Sequence, residues 1–330
     1  MKKILRFLIK SKQKRVYIFW KYQVIRELLS FKLKSIRSTG FFSIARSFEE
    51  YKNKLNELEY DDKFNKLIKN LDEKSILEVK QVLERNYYVY TNNLLNLSSQ
   101  FKPEEILEQK ECNNEIKRFN KIFRKASFNI QGAESIWGLS GLKWLNKETH
   151  NKLKNGTFLD IGAYNGDSSF ALMDKFSAKK IYAFEANNLN YLELNNNINS
   201  LKLENINPVN LAIGDTNKEV NIEINEESSK ISDKGIKVLM TTIDDYINKN
   251  NIKSVDLIKM DIEGFEQKAL RGAIKTIKTF KPVLAITIYH NANDFFEIKP
   301  MLEDLDIGYQ FYIKKANPFS LNEEIMLIAY

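Results

Sequence analysis

The chain has 330 residues, enough for one large domain with an appended segment or for two domains. Its 43% hydrophobic and 28% charged residues are an ordinary globular balance, and 12 Gly with 5 Pro leave little material for long disordered linkers. A single cysteine, Cys112, excludes an internal disulfide and a cysteine-based zinc cluster, and with only His150 and His290 there is no His-rich centre; Asp261 and Glu263 could hold a divalent cation, but nothing in their spacing requires one, so no metal is assigned.

The formal charge of +8 is unevenly placed. Residues 1–40 hold twelve Lys/Arg against one acid, Glu27, for a net of +11, which leaves −3 for residues 41–330. A nucleic-acid enzyme carries its basic stripe across the domain that does the chemistry, so no nucleic acid is expected as partner. Within the arm, Trp20, Val24, Leu28 and Phe31 recur at helical spacing among Lys and Arg. Such a basic amphipathic helix either lies on an anionic membrane surface or packs on the protein's own body. Its apolar runs are too short for a bilayer span and are interrupted by lysines, unlike a signal peptide. The expected location is cytoplasmic, at the inner face of the membrane if the arm binds lipid.

Residues 41–130 read as helical, with apolar positions at three- and four-residue steps: Phe48, Tyr51, Leu55, Leu58, then Phe64, Leu67, Ile68, Leu71, then Ile76, Val79, Leu83. Pro103 followed by Glu104 and Glu105 predicts a helix start. This region is a candidate homodimer surface. Its tyrosines Tyr87, Tyr88 and Tyr90 suit core packing better than a sugar or partner contact. A linker from about 131 to 155 carries Trp137 and Trp144 between glycines, as a lid over a site or as a plug on the sheet edge.

From residue 156 the pattern changes to strands alternating with helices, which predicts a mostly parallel, doubly wound sheet with its ligands at the carboxyl ends of the strands. Predicted strands are 157–161, 181–186, 208–213, 220–224, 236–242, 255–260, 282–289, 308–313 and 324–330. Predicted helices include 170–176, 188–199, 267–277 and 295–305.

The organising stretch is Thr157–Ser169, TFLDIGAYNGDSS. A buried strand ends at Asp160-Ile161, and a tight loop, Gly162-Ala163-Tyr164-Asn165-Gly166-Asp167, leads into a helix that Ser168 and Ser169 can cap. Its glycines are spaced G-x-x-x-G, short of G-x-G-x-x-G. A carboxylate beside the loop suits an ammonium or a hydroxyl rather than a phosphate, which favours S-adenosylmethionine. Glu185 closes the next strand 23 residues beyond Gly162, near the ~20-residue spacing at which an acid accepts ribose hydroxyls. Gly162, Ala163, Gly166 and Asp167 are candidate cofactor contacts beside Asp160.

DIGAYNGDSS (160–169), AFEAN (183–187), TTIDDYI (241–247), DLIKMDIEGFEQKALRGA (256–273) and the PVLAITIYH…D stretch (282–294), in that order, resemble the FkbM family of S-adenosylmethionine-dependent methyltransferases. The resemblance covers about residues 155–330. It implies a class I methyltransferase, Rossmann-like fold of seven strands with the last antiparallel. It implies methyl transfer, typically to a hydroxyl of a saccharide such as a surface glycan, or of another small natural product. It also implies that Asp160, Gly162 and Gly166 shape the methionine side of the cofactor site, Glu185 the ribose side and Asp215 the adenine side.

Methyl transfer to a hydroxyl needs an aligned acceptor and a proton acceptor. Asp261 ends the strand where the methyl would lie, with Glu263 two residues on and Lys259 two before. Asp261 or His290 is the candidate base, since an ordinary imidazole pKa near ~6.5 suits the role, with Asp294 to orient His290. Asp261 and Glu263 could equally cap the following helix, and Lys259 pair with a neighbouring acid. Two other functions share these features. A nicotinamide-dependent oxidoreductase would use the same strand, loop and ribose acid, though the short glycine pattern and Asp160 count against it. A non-catalytic adaptor would keep the domain as a scaffold.

Overall fold

The computed structural model describes residues 40–91, 100–128, 132–224, 229–232 and 235–330. The basic arm, apart from Gly40, lies outside them. Among the described residues no helix is long and apolar enough to cross a membrane.

The strands are β1 (Thr157–Ile161), β2 (Lys180–Phe184), β3 (Ile206–Val209), β4 (Ala212–Ile213), β5 (Lys218–Ile224), β6 (Ser229–Ser232), β7 (Ile236–Thr241), β8 (Leu257–Met260), β9 (Val283–Thr287), β10 (Phe311–Lys315) and β11 (Ile325–Ala329). Seven of them form one sheet in the order β10-β11-β9-β8-β1-β2-β3. All run parallel except β11, which is antiparallel to both its neighbours. The last strand is thus the antiparallel one, as expected. Every residue of β8, β9 and β11 is buried, because helices cover both faces of the sheet.

The helices are α1 (Gly40–Lys54), α2 (Glu57–Ile68), α3 (Glu73–Thr91), α4 (Pro103–Ile122), α5 (Lys147–Leu153), α6 (Asp167–Phe176), α7 (Asn188–Leu201), α8 (Ile243–Lys249), α9 (Glu266–Arg271), α10 (Ile274–Phe280) and α11 (Ala292–Glu303). Successive strand residues face opposite layers: Leu159, Ile161, Ile258 and Met260 join a core with α11, while Phe158 and Leu257 join a core with α6. The N-terminal helices complete both layers. On one side Phe48 of α1 meets Phe295 edge-on at 5.0 Å and Tyr51 stacks on Phe296 at 5.0 Å. On the other, Phe123 meets Phe170 at 5.4 Å. Truncating a ring such as Phe48, 4% exposed, costs about 3–5 kcal/mol, so these helices hold the sheet as much as they rest on it.

A buried ion cluster fastens three of these elements together. Arg85 on α3 meets Glu105 on α4 with two hydrogen bonds of 3.0 and 2.6 Å, and Lys315 on β10 lies 2.9 Å from the same carboxylate. Arg85 also donates to Gln100 O, and Lys315 to Asn317 O and Ser320 O.

Three expectations need correcting. The strand predicted at 208–213 is two: β3 stays in the main sheet, while β4 joins a separate four-stranded sheet, β4-β7-β5-β6. The helix predicted at 267–277 breaks into α9 and α10 around Gly272, where a Cβ would come 2.1 Å from Gly214 O. That close approach requires glycine there, and Gly272 O accepts from Asp244 N while Thr276 N donates to Asp244 Oδ1, so the helical hydrogen bond between Thr276 N and Gly272 O is not made. Finally, Tyr87 and Tyr90 are not core residues: both are more than half exposed, while Tyr88 packs beside Ala45, Val89 and Leu321.

Candidate active site

The loop after β1 is built as a strand-to-helix turn, but its polar groups are spent differently from the expectation. Gly166, not a serine, caps α6. The Ser168 and Ser169 hydroxyls instead both donate to Asp160 Oδ2 at 2.6 Å. Asp160 faces Lys259 across the β1–β8 register, and parallel register partners put their side chains on the same side. Lys259 Nζ accordingly lies 3.2 Å from Asp160 Oδ1 and donates to Gly162 O at 2.9 Å. Asp160 is fully buried and does not line the cleft; it acts by holding the loop and Lys259.

Gly162 cannot carry a side chain. Its φ is +82°, and a Cβ would sit 1.8 Å from the backbone oxygen of Asp261. Gly162→Ala should lower the melting temperature by several degrees, since left-handed strain and overpacking together cost about 2–5 kcal/mol. A melting curve like that of the unaltered protein would count against this packing.

Glu185 sits just past the end of β2, and its two oxygens accept the N–H groups of Tyr164 (2.9 Å) and Asn187 (2.8 Å). Each oxygen keeps acceptor capacity towards the cleft. Burial pushes its pKa up to about 7, against the pull of those N–H groups and of Lys259.

The cleft lies over the carboxyl ends of β1, β2 and β8 and encloses about 550 Å³, within the size range of small-molecule sites. Gly162, Asp167, Glu185, Lys259, Asp261 and Glu263 line it. Ala163 is buried behind it, its N–H bound to Phe184 O. Gly166 is likewise set back, in the turn. Asp215 is not among the lining residues; Leu211, Ala212 and Ile213 form that wall instead, because the chain leaves the main sheet there. Asp167 accepts a hydrogen bond from Ser135 Oγ, which ties α6 to the segment before the domain.

His290 does not fit the role of a base. Its Nδ1 lies 3.0 Å from Glu266 Oε1, and its Nε2 lies 3.4 Å from Asp261 Oδ1 and 3.8 Å from Glu263 Oε2. Burial alone would lower its pKa, but these three carboxylates, Glu266 foremost, raise it to about 10. These surroundings favour the imidazolium at neutral pH. Lys259 is likewise held charged: burial works against the ammonium, but Asp160, Asp261, Glu134 and Asp167 outweigh it. Asp294 is not directly paired with His290: its N–H donates to the α11 cap Asn291, and its carboxylate accepts from Asn291 and Gln267.

Three acids lining the cleft, Glu134, Glu323 and Glu324, were not readable in the sequence. Glu134 comes from a single π-helical turn, Ala133–Trp137, and Glu323 and Glu324 from the residues before β11. All lie far in sequence from the loop, and none belongs to a motif. The tryptophans of the same linker do not reach the cleft; Trp137 packs edge-on against Trp144 at 5.4 Å, with Lys143 Nζ 3.6 Å over its ring, a plug rather than a lid. Tyr164, Glu263 and Glu324 all have positive φ (+48°, +60°, +58°), a strain of about 1–3 kcal/mol each that the surrounding packing sustains.

A seven-stranded sheet of this order, with its one antiparallel strand inserted beside the edge and an acid-flanked glycine loop after β1, defines a class I methyltransferase-like fold. Residues 160–311 match the family model of the methyltransferase FkbM domain. No curated protein matches the chain. Among solved structures, the FkbM methyltransferase from Methylobacillus flagellatus KT is 18% identical with a TM-score of 0.54, over 82% of this chain and 58% of that one. The chain therefore spans somewhat over half the length of that relative. Aeropyrum pernix fibrillarin, with natively bound S-adenosyl-L-methionine, is a looser match: 14% identity, TM-score 0.39, 59% of this chain and 74% of that one.

Proposed function

We propose that the protein is an S-adenosylmethionine-dependent O-methyltransferase whose acceptor is a hydroxyl of a saccharide or a related small natural product. The observation that carries the reading is Glu185, an acid aimed by two backbone N–H groups at the end of β2, across the same cleft from Asp261 at the end of β8.

The donor set fits the cofactor. Glu185 offers acceptors for vicinal ribose hydroxyls, and the apolar wall of Phe184, Leu211 and Ile213 suits a flat base. The acidic remainder suits ammonium and sulfonium charge. When bound, S-adenosylmethionine supplies an electrophilic methyl group on a positive sulfur. The chain's own part is to orient the acceptor hydroxyl and take its proton. With His290 and Lys259 both held charged, the proton falls to a carboxylate at the cleft edge, and Asp261 and Glu263 are the expected residues for it.

Calorimetric titration with S-adenosylhomocysteine, beside NAD, tests the reading. Binding of the former alone is the expected result, followed by acceptor screening for a methyl mass gain. Tight NAD binding would replace the proposal with an oxidoreductase. Binding of neither ligand by folded protein would favour a non-catalytic scaffold.

A further inference from the structure

Among the described residues, seven acidic side chains line the cleft against one cation, Lys259. Lys259 is already engaged by Asp160 and Gly162 O, and His290 by Glu266, Asp261 and Glu263. Three of the acids converge from separate parts of the chain. Carboxylate oxygens of Glu134, Asp261 and Glu324 all lie within 4.8 Å of one another. Oε1 of Glu134 and Oε2 of Glu324 are shut off from solvent, and neither accepts a hydrogen bond. A buried carboxylate oxygen in that state costs free energy unless a cation or a proton meets it.

From this arrangement we infer that Glu134, Asp261 and Glu324 form a binding site for a hard divalent cation such as Mg²⁺ or Mn²⁺. Oxygens about 2.0–2.6 Å from a common ion stand at most roughly 4–5 Å apart, which is the spread seen here. An all-carboxylate set selects Mg²⁺, Ca²⁺ or Mn²⁺ over thiophilic metals. The neighbouring group Asp261, Glu266 and His290 is less suited, because Glu266 Oε1 already accepts from Ile262 N and Thr287 Oγ1. Three protein ligands leave coordination positions open towards the cleft. An acceptor with adjacent hydroxyl oxygens can fill them, which would orient the reacting oxygen. That role rests on the methyltransferase reading, in which Glu263 is left to take the proton while Asp261 holds the cation; the cation site itself does not. Glu134 and Glu324 both lie outside residues 160–311, so the segments flanking the family domain complete the site.

The test is Mn²⁺ binding to the chelator-stripped full chain, read by calorimetry and by electron paramagnetic resonance, with S-adenosylhomocysteine titrated separately in chelator. The expected result is one Mn²⁺ per chain, weakened more than tenfold in Glu134→Gln and in Glu324→Gln. Melting temperatures of both variants in chelator should equal or exceed that of the unaltered protein, since each removes a repelling charge. Absence of Mn²⁺ binding to the unaltered chain, or binding that neither substitution weakens, overturns the site. If one variant fails to fold, the other carries the comparison. S-adenosylhomocysteine binding without Mn²⁺ binding refutes the cation and leaves the methyltransferase reading standing; the reverse result refutes that reading alone.

Discussion

Glu185→Ala should weaken S-adenosylhomocysteine binding about 100-fold, with the fold intact. Hydrogen bonds to a charged group contribute about 1.5–3 kcal/mol each, and a carboxylate on two ribose hydroxyls makes two. Even the lower figure, doubled, gives about two decades in Kd. Removing the carboxylate also leaves the Tyr164 and Asn187 N–H groups without their acceptor, so Glu185→Gln, which keeps one, should fall between the two. Calorimetry on all three proteins checks the order; equal affinities would remove Glu185 from the cofactor site.

The same residue makes two opposite pH dependences. Its folded pKa of about 7 lies above that of an ordinary glutamate near 4.5, so the folded state holds the proton more tightly. The stability from this group is therefore greatest below about 4.5 and is lost as pH rises towards 7. Cofactor affinity runs the other way. Only the carboxylate accepts from both hydroxyls, so affinity should rise through about pH 7 and level off above it. A flat affinity between pH 6 and 8 would contradict the assignment.

The second large effect is on stability. Glu105→Ala should destabilise the protein by about 3–5 kcal/mol, because it leaves Arg85 and Lys315 as adjacent buried cations with no anion between them. Burial alone would raise the Glu105 pKa, but Lys315 and the two-pronged Arg85 contact outweigh it and hold the carboxyl at about 2. A folded value below the unfolded one means a stability contribution present in full above about 4.5 and lost as pH falls towards 2. Denaturant melts at pH 7 and pH 3 should therefore bring the two proteins closer in stability at the lower pH. An equal gap at both would show that packing, not charge, sets the loss.

Much of the site was legible in the chain. Residues 157–169 alternate and break as a strand, tight turn and helix must, and Glu185 follows at the spacing the next strand imposes. Local periodicity and turn chemistry suffice for that, because each element's own residues carry it. Asp261 was likewise readable, as the acid that directly follows the strand Leu257–Met260.

The rest depended on which segments meet. That Asp160 pairs with Lys259 follows from the β1–β8 register, a non-local property. His290 looked like an ordinary imidazole because nothing adjacent to it in sequence is acidic; Glu266, Asp261 and Glu263 reach it only through the sheet edge and the turn into α9, and their summed field favours its charged form. Glu134 and Glu324 were invisible for the same reason, one before the domain and one after its last crossover. The chain alone determined the order of elements and the glycine loop that borders the cleft. The fold decided how the charges in the cleft add up, because Coulomb energy depends on distance in space and not along the sequence.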